Sequence, residues 1–105
     1  MTKETINLNY PKNLLTEKVY TKFAGQVMRT MLMLYDAGFD IPLSITGRPE
    51  QVSSFMSTLK KEKKYMDSYI KHGLNDSRTL MSRHKLLDSV KAFEGETGLV
   101  WPFKN

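Results

Sequence analysis

Residues 47–73 carry the longest unbroken helical pattern in the chain, and this stretch constrains the fold more than any other. Pro49 suits the first position of a helix, because its ring fixes φ and its missing N–H leaves no hydrogen bond unmade. Gly73 follows the pattern, where glycine commonly ends a helix with a positive φ. Six apolar residues fall on one stripe at about 100° per residue: Val52, Phe55, Met56, Leu59, Met66 and Ile70. We therefore expect one long helix that buries this stripe, with Leu74 packing back against its end.

An earlier helix is predicted to begin after Thr16, a good N-cap residue, and to end at Asp36-Ala37-Gly38. Its apolar positions recur at helical spacing: Tyr20, Phe23, Ala24, Val27, Met28, Met31, Leu34 and Tyr35. Leu32 and Met33 widen this apolar arc. The helix is therefore expected to be covered on more than one side, either by the rest of the domain or by a second copy of the chain.

Alternating apolar residues predict two short strands, one on either side of that helix. The first pattern consists of Ile6, Leu8 and Tyr10, and the second of Ile41, Leu43 and Ile45. If the strands are neighbours in one sheet, the helix between them makes a crossover and the strands run parallel. Two parallel strands make a small sheet, so residues 99–101 could add a third strand, or a dimer could extend the sheet.

A third helix is expected to start near Asp76, because Asn75, Asp76 and Ser77 are all capable caps. Its buried side is predicted from four residues: Leu80, Leu87, Val90 and Phe93. Arg83 projects onto the same side of a continuous helix, which conflicts with burial. A break at Ser82, followed by a fourth helix over residues 83–94, is one way to resolve the conflict.

The sequence therefore predicts an α+β fold that is mostly helical, with three or four helices and two or three short strands in the order β-α-β-α-α. At 105 residues the chain forms a single domain, residues 1–105, because two halves would each be too small to bury a core. The apolar segment at residues 99–103 is expected to be tied down over that core.

The composition excludes several kinds of site and location. There is no cysteine, so disulfides, zinc–thiolate centres, iron–sulfur clusters and thiol nucleophiles are excluded. No apolar run approaches the roughly 20 residues that span a bilayer, so we expect no membrane partner. The N-terminal residues lack the apolar core of a secretory signal, which predicts a cytoplasmic location.

The net charge of +5 is confined to residues 60–91, where nine lysines and arginines face four acids. Cations concentrated in this way are typical of a surface that binds nucleic acid, because they neutralise phosphates and release condensed counterions. The predicted nucleic-acid-binding residues are Lys60, Lys61, Lys64, Lys71, Arg78, Arg83, Lys85 and Lys91. We expect double-stranded DNA rather than RNA, with Arg78, Arg83 and Lys85 deciding any specificity. Such a domain would suit a replication or recombination protein.

The join through Gly73 has some likeness to a helix-turn-helix, in which a second helix enters the major groove. An ordinary pair of antiparallel helices has the same sequence signature, and the long first helix is not typical of the DNA-binding motif. The lysines could also serve only as a solvated helix face.

Two alternatives concern protein partners. The basic face could meet an acidic protein, as in a small inhibitor or adaptor module of the phage or plasmid accessory kind. Met28, Met31 and Met33 give the first helix an adaptable apolar surface, which predicts a possible homodimer through that helix.

No catalytic, metal or cofactor motif is present. His72 and His84 are not spaced as metal ligands, no serine lies in a GxSxG elbow, and Gly47-Arg48-Pro49 is a tight turn rather than a phosphate loop. Glu94 and Glu96 flank an apparently exposed turn, where nothing would raise a carboxyl pKa. We therefore expect a protein that is not an enzyme and holds no cofactor.

Overall fold

The structure of the chain, a computed structural model, describes residues 4–37 and 43–103. Its elements in chain order are β1 (Glu4–Asn7), a 3-10 turn (Lys12–Leu14), α1 (Glu17–Ala37), β2 (Leu43–Thr46), α2 (Pro49–His72) and α3 (Ser77–Thr97). The prediction of a mostly helical α+β fold is confirmed.

The two strands form a parallel sheet in which Ile6 lies opposite Ile45. The ladder continues past β1, where the Leu8 N–H donates to the Thr46 carbonyl over 2.8 Å. Gln26 of α1 donates from its side-chain amide to the Thr5 carbonyl over 2.9 Å, so the helix closes part of the sheet edge. The parallel pairing of these strands is as predicted, while Gly38, Ile41 and Pro42 lie outside the described residues.

Four aromatic side chains from separate parts of the chain make the centre of the core. The Phe93 ring lies 5.7 Å from the Phe23 ring, 5.9 Å from Phe55 and 5.5 Å from Trp101 between centroids. Each of α1, α2 and α3 thus contributes one phenylalanine, and the C-terminal segment adds the indole. Such ring pairs add to the free energy gained from burying their area.

The C-terminal segment is tied over the core, as predicted, but it is not a third strand. Leu99 and Trp101 are buried, and the backbone N–H of Trp101 donates to the Glu94 carboxylate over 2.8 Å. The Leu99 N–H is satisfied by the Thr97 hydroxyl at 3.1 Å. Side chains therefore satisfy the backbone of this segment, and the third strand predicted at residues 99–101 is wrong.

The bounds of α2 agree with the sequence, but the apolar stripe is not buried along its whole length. Phe55 and Leu59 are buried, whereas Ile70 is 73% exposed and Leu74 is exposed too. A helix of 24 residues is about 36 Å long, so it extends well beyond the aromatic cluster. The predicted burial of Ile70 and the packing of Leu74 against the helix end are wrong.

Helix α3 is continuous from Ser77 to Thr97, so the predicted break at Ser82 does not occur. The conflict with Arg83 disappears because the buried face is rotated from the predicted one: Val90 and Phe93 are buried as predicted, but Leu80 is 52% exposed and Leu87 is 37% exposed. The buried face consists of Thr79, Leu86, Ser89, Val90, Phe93 and Thr97. The hydroxyls of Thr79 and Ser89 belong to the contact with α2, which hydrophobicity alone does not reveal.

Candidate nucleic-acid interface

Helices α2 and α3 form an antiparallel hairpin whose seam contains small hydroxyl side chains. The hydroxyls of Ser68 and Thr79 are 2.9 Å apart near the turn, and those of Thr58 and Ser89 are 2.7 Å apart farther along. Small side chains let the two helices approach closely, and each buried hydroxyl has a partner. Gly73 makes the turn possible with a φ of 85°, a conformation that residues with a Cβ rarely adopt.

A groove of about 380 Å³ lies on one side of this hairpin, near its turn. It is lined by Lys64, Asp67, Ser68, Lys71, His72, Arg78, Met81, Ser82 and Lys85. We call this site the basic groove. It brings together four of the eight residues predicted to bind nucleic acid, two from each helix: Lys64, Lys71, Arg78 and Lys85. The groove exists because the antiparallel hairpin sets matching faces of two consecutive helices side by side.

Asp67 in the basic groove and Asp76 beside it each form an ion pair with a nearby cation. Asp67 accepts an ion pair from Lys63 at 2.9 Å. Asp76 holds Arg78 through two contacts, Nε to Oδ1 at 3.0 Å and Nη2 to Oδ2 at 3.1 Å. Lys64, Lys71 and Lys85 make no ion pair with any residue that the structure describes. These three lysines are therefore the cations best placed to meet an anion from solution.

The N-terminus of α3 is already capped by a carboxylate of the chain. Asp76 accepts from the backbone N–H of Arg78 at 2.9 Å. Hydrogen bonds from the Arg78 side chain and backbone lower the pKa of Asp76 to about 2, so the carboxyl stays ionised at neutral pH. A phosphate in the basic groove would thus meet side-chain cations rather than the exposed amides of this helix end.

The other four predicted residues do not line the basic groove. Arg83 lines a pocket on the opposite side of the hairpin, while Lys60 and Lys91 line neither this pocket nor the grooves. Lys61 lies in a second groove, which continues along the same side of the hairpin toward the start of α2. The single basic face expected from the sequence is therefore wrong: on α3, Arg83 is separated from Arg78 and Lys85 by the helix itself.

The second groove, of about 470 Å³, is predominantly acidic. It is lined by Glu50, Ser53, Ser54, Ser57, Lys61, Asp88, Ser89, Ala92 and Glu96. We call it the acidic groove. Its lining has three carboxylates and one lysine, and Glu50 is also ion-paired with Arg48 at 3.3 Å, so this part of the hairpin attracts phosphate less than the basic groove does.

Glu62 lies within the lysine run but does not belong to the charged surface. Its side chain is buried, and its Oε1 accepts from the indole Nε1 of Trp101 at 2.8 Å. Burial raises the pKa of this carboxyl, and the hydrogen bond from Trp101 opposes the shift. The sequence spacing indicates this burial, because Glu62 falls seven residues after Phe55 and three after Leu59, on the apolar stripe of α2.

Gly47-Arg48-Pro49 forms the tight turn that the sequence predicts. The N–H of Arg48 donates to the Gln51 side-chain oxygen at 2.8 Å, which occupies a position that an anion would need.

Farther along α3, His84 lies 3.8 Å from Asp88, and both side chains are exposed. Glu94 and Glu96 lie inside α3 rather than on a turn, and Glu94 holds the Trp101 N–H.

Within the described residues, no cluster of three or more histidine or acidic side chains could hold a metal ion. No helix in the described part of the chain is both long and apolar enough to cross a membrane. No protein-family model, curated protein or solved structure matches the chain.

Proposed function

We propose that this protein binds nucleic acid, with double-stranded DNA as the expected form, through the basic groove between α2 and α3. The observation that carries the proposal is the convergence of Lys64, Lys71 and Lys85, none of which has an ion-pair partner in the described chain, beside Arg78. Phosphate contacts supply most of the affinity of such a surface, because each one releases condensed counterions.

The spacing of the cations suits a DNA backbone. Lys64 and Lys71 are seven residues apart on α2, and Arg78 and Lys85 are seven apart on α3. Seven helical residues rise about 10.5 Å. Two cations this far apart can contact two different phosphates, so each helix can offer two contacts to a DNA backbone.

The acidic groove limits where the nucleic acid can lie. A duplex that followed the whole length of the hairpin would bring its phosphates against Glu50, Asp88 and Glu96. Like charges disfavour that path. We infer that DNA crosses the hairpin near its turn, with contacts to a few phosphates and no sequence-specific site.

The proposed role is binding without catalysis, in the cytoplasm, as a module of a replication or recombination protein. Among the described carboxyls, Glu62 has a pKa raised by burial, as a general acid would need. Its side chain is only 2% exposed, however, and it accepts a hydrogen bond from Trp101. A substrate could not reach it without displacing the C-terminal segment. The buried hydroxyls of Thr58 and Ser89 are likewise paired within the hairpin seam.

The test compares two charge-reversed variants that change the net charge equally. Lys64→Glu with Lys85→Glu alters the basic groove, whereas Lys18→Glu with Lys22→Glu alters exposed positions on α1. Binding to a fluorescein-labelled DNA duplex two helical turns long is measured by polarisation at low salt. We expect the groove variant to lose at least about tenfold in affinity and the α1 variant to change by less than about threefold.

Circular dichroism must show that both variants keep their helices. An equal loss in the two variants would mean that net charge alone attracts the DNA, and the assignment of the groove would fail. Tighter binding of a single strand or of duplex RNA of the same length would replace duplex DNA as the ligand class.

A homodimer through α1 is a second proposal, supported by an apolar cavity of about 290 Å³ that opens at this helix. It is lined by Met28, Met31, Leu32, Met66 and Phe103. Leu32 is 69% exposed and Met28 is exposed too, so the broad apolar arc is not covered by the rest of the described chain. Sedimentation of the wild type and of Leu32→Glu tests it: a dimer that the variant dissociates supports the seam, and a wild-type monomer rejects it.

A further inference from the structure

Helix α3 carries an exposed line of alternating apolar and basic residues on the side away from the basic groove. Leu80, Arg83, Leu87 and Lys91 follow one another at intervals of three or four residues, which places them on one helix face. Both leucines are exposed, and neither cation makes an ion pair with a described residue. We call this line the docking stripe.

A pocket of about 290 Å³ lies at the turn end of the docking stripe. It is lined by Tyr65, Leu74, Asn75, Thr79, Leu80 and Arg83. Apolar surface from Leu74 and Leu80 is thus combined with the side-chain amide of Asn75 and the guanidinium of Arg83. A concave site of this kind can take one large apolar side chain and hold a carboxylate at its rim.

We propose that the docking stripe and its pocket bind an acidic, amphipathic segment of a protein partner. Leucines at helical spacing fit the apolar face of such a segment, and Arg83 and Lys91 complement its acids. Glu94, three residues after Lys91 on the same helix face, directs a carboxylate oxygen to the backbone N–H of Trp101. The charge of the stripe therefore selects for a negatively charged partner.

Other occupants fit less well. A second copy in a two-fold arrangement would set Arg83 and Lys91 against basic residues of the same stripe, and like charges oppose that contact. A lipid surface would meet the exposed leucines but has no protruding group to fill the pocket beside Tyr65. A DNA phosphate would meet Arg83 but gains nothing from the leucines around it.

The two binding surfaces lie on opposite sides of the hairpin seam. Ser68 lines the basic groove, Thr79 lines the pocket, and their hydroxyls are hydrogen-bonded at 2.9 Å. A protein partner on the stripe would leave the groove open. The inference therefore does not depend on the proposed binding of DNA, and the two can fail separately.

A phage-displayed library of random peptides selected on the wild-type protein tests the proposal. Enriched peptides should combine Asp or Glu with Leu, Phe or Trp at helical spacing. A dye-labelled peptide from this set should lose at least about tenfold in affinity for Leu80→Ser with Leu87→Ser, and for Arg83→Glu. Ile70→Ser removes an exposed apolar side chain outside the stripe and should keep the affinity within about twofold.

Circular dichroism should show that the serine variant keeps its helices, so that a loss of peptide binding is not a loss of the fold, whether or not the protein binds DNA. No enriched peptide, basic peptides, or peptides that bind the serine variant unchanged would each overturn the proposal. So would a wild-type dimer that the serine variant dissociates, or capture by phosphatidylserine vesicles that depends on the two leucines.

Discussion

The indole N–H of Trp101 donates to the carboxylate of Glu62 over 2.8 Å, and both side chains are buried. This bond joins the C-terminal segment to the middle of α2, next to the lysines of the hairpin. A buried N–H without an acceptor is destabilising, and so is a buried charge without a donor. The hydrogen bond therefore offsets the cost of burying both the indole N–H and the carboxylate.

Replacing Glu62 separates the role of the acceptor from that of the charge. Glu62→Gln keeps an oxygen for the indole and should unfold at a similar or higher urea concentration than the wild type at neutral pH. Glu62→Leu leaves the indole N–H unpaired, which should lower the free energy of unfolding by about 1–3 kcal/mol. Fluorescence of Trp101, the single tryptophan, follows unfolding. Equal stability of the Gln and Leu variants would contradict this assignment.

The same carboxyl makes stability depend on pH. Burial raises the folded pKa of Glu62 above its ordinary value of 4.5. The folded state then binds the proton more tightly than the unfolded chain, so this group's contribution to stability falls as pH rises from about 4.5 through the raised pKa. Urea unfolding of Glu62→Gln at several pH values should lack this fall, whereas the exposed control Glu96→Gln should retain it.

Phe93 is expected to be a sensitive core position because, like Phe55, it contacts three other aromatic rings. Phe93→Ala should lower the free energy of unfolding by about 3–5 kcal/mol, from lost burial and the cavity left among the rings. Ile70→Ala, at a position on α2 that is 73% exposed, should change it by less than about 0.5 kcal/mol. Thermal or urea unfolding of the two variants provides the comparison, and similar losses would refute the description of the core.

Two glycines three residues apart should respond in opposite directions. Gly95 lies inside α3, and a Cβ there would meet no heavy atom within 4 Å, so Gly95→Ala should stabilise the protein by about 0.5–1 kcal/mol. Gly98 has a φ of +77°, and a Cβ there would lie 2.7 Å from Leu15 Cδ1, so Gly98→Ala should destabilise it. Melting temperatures measured in parallel check both signs. A stabilised Gly98→Ala would show that the helix does not end as described.

The salt dependence of DNA binding should report a small phosphate footprint. Four cations line the basic groove, so a plot of log affinity against log salt should have a slope of about −3 to −4. Lys71→Ala should reduce the magnitude of this slope by about one, whereas Lys91→Ala should leave it unchanged. A much steeper slope would mean that the DNA also follows surfaces outside the groove.

Local signals in the sequence located the main elements well. Thr16 predicted where α1 begins, while Pro49 and Gly73 predicted both ends of α2, because caps and helix breakers act on their own stretch of backbone. Half of the candidate site could also be predicted from the sequence, since Lys64 and Lys71 belong to one helix. Their convergence with Arg78 and Lys85 depends on how α3 packs, which no local signal contains.

The errors concern the faces that the helices bury. Leu80 and Leu87 are more apolar than Thr79 and Ser89, so hydrophobicity alone predicts that the leucines face inward. The structure buries the hydroxyl residues instead, because the close approach of α2 and α3 needs small side chains that can hydrogen-bond across the seam. The spacing of Glu62 places it on the apolar stripe of α2, but no local signal identifies its hydrogen-bond partner, because Trp101 lies far along the chain.

The sequence by itself determined a basic, mostly helical α+β domain, the bounds of its long helix and the confinement of its charge to residues 60–91. Helix caps, periodicity and charge are properties of neighbouring residues, so they can be seen without a fold. Only the tertiary structure decided which cations share a groove, where Arg83 lies, and that Glu62 is buried against Trp101. These outcomes depend on the rotation of α3 against α2, which is set by contacts between residues distant in sequence.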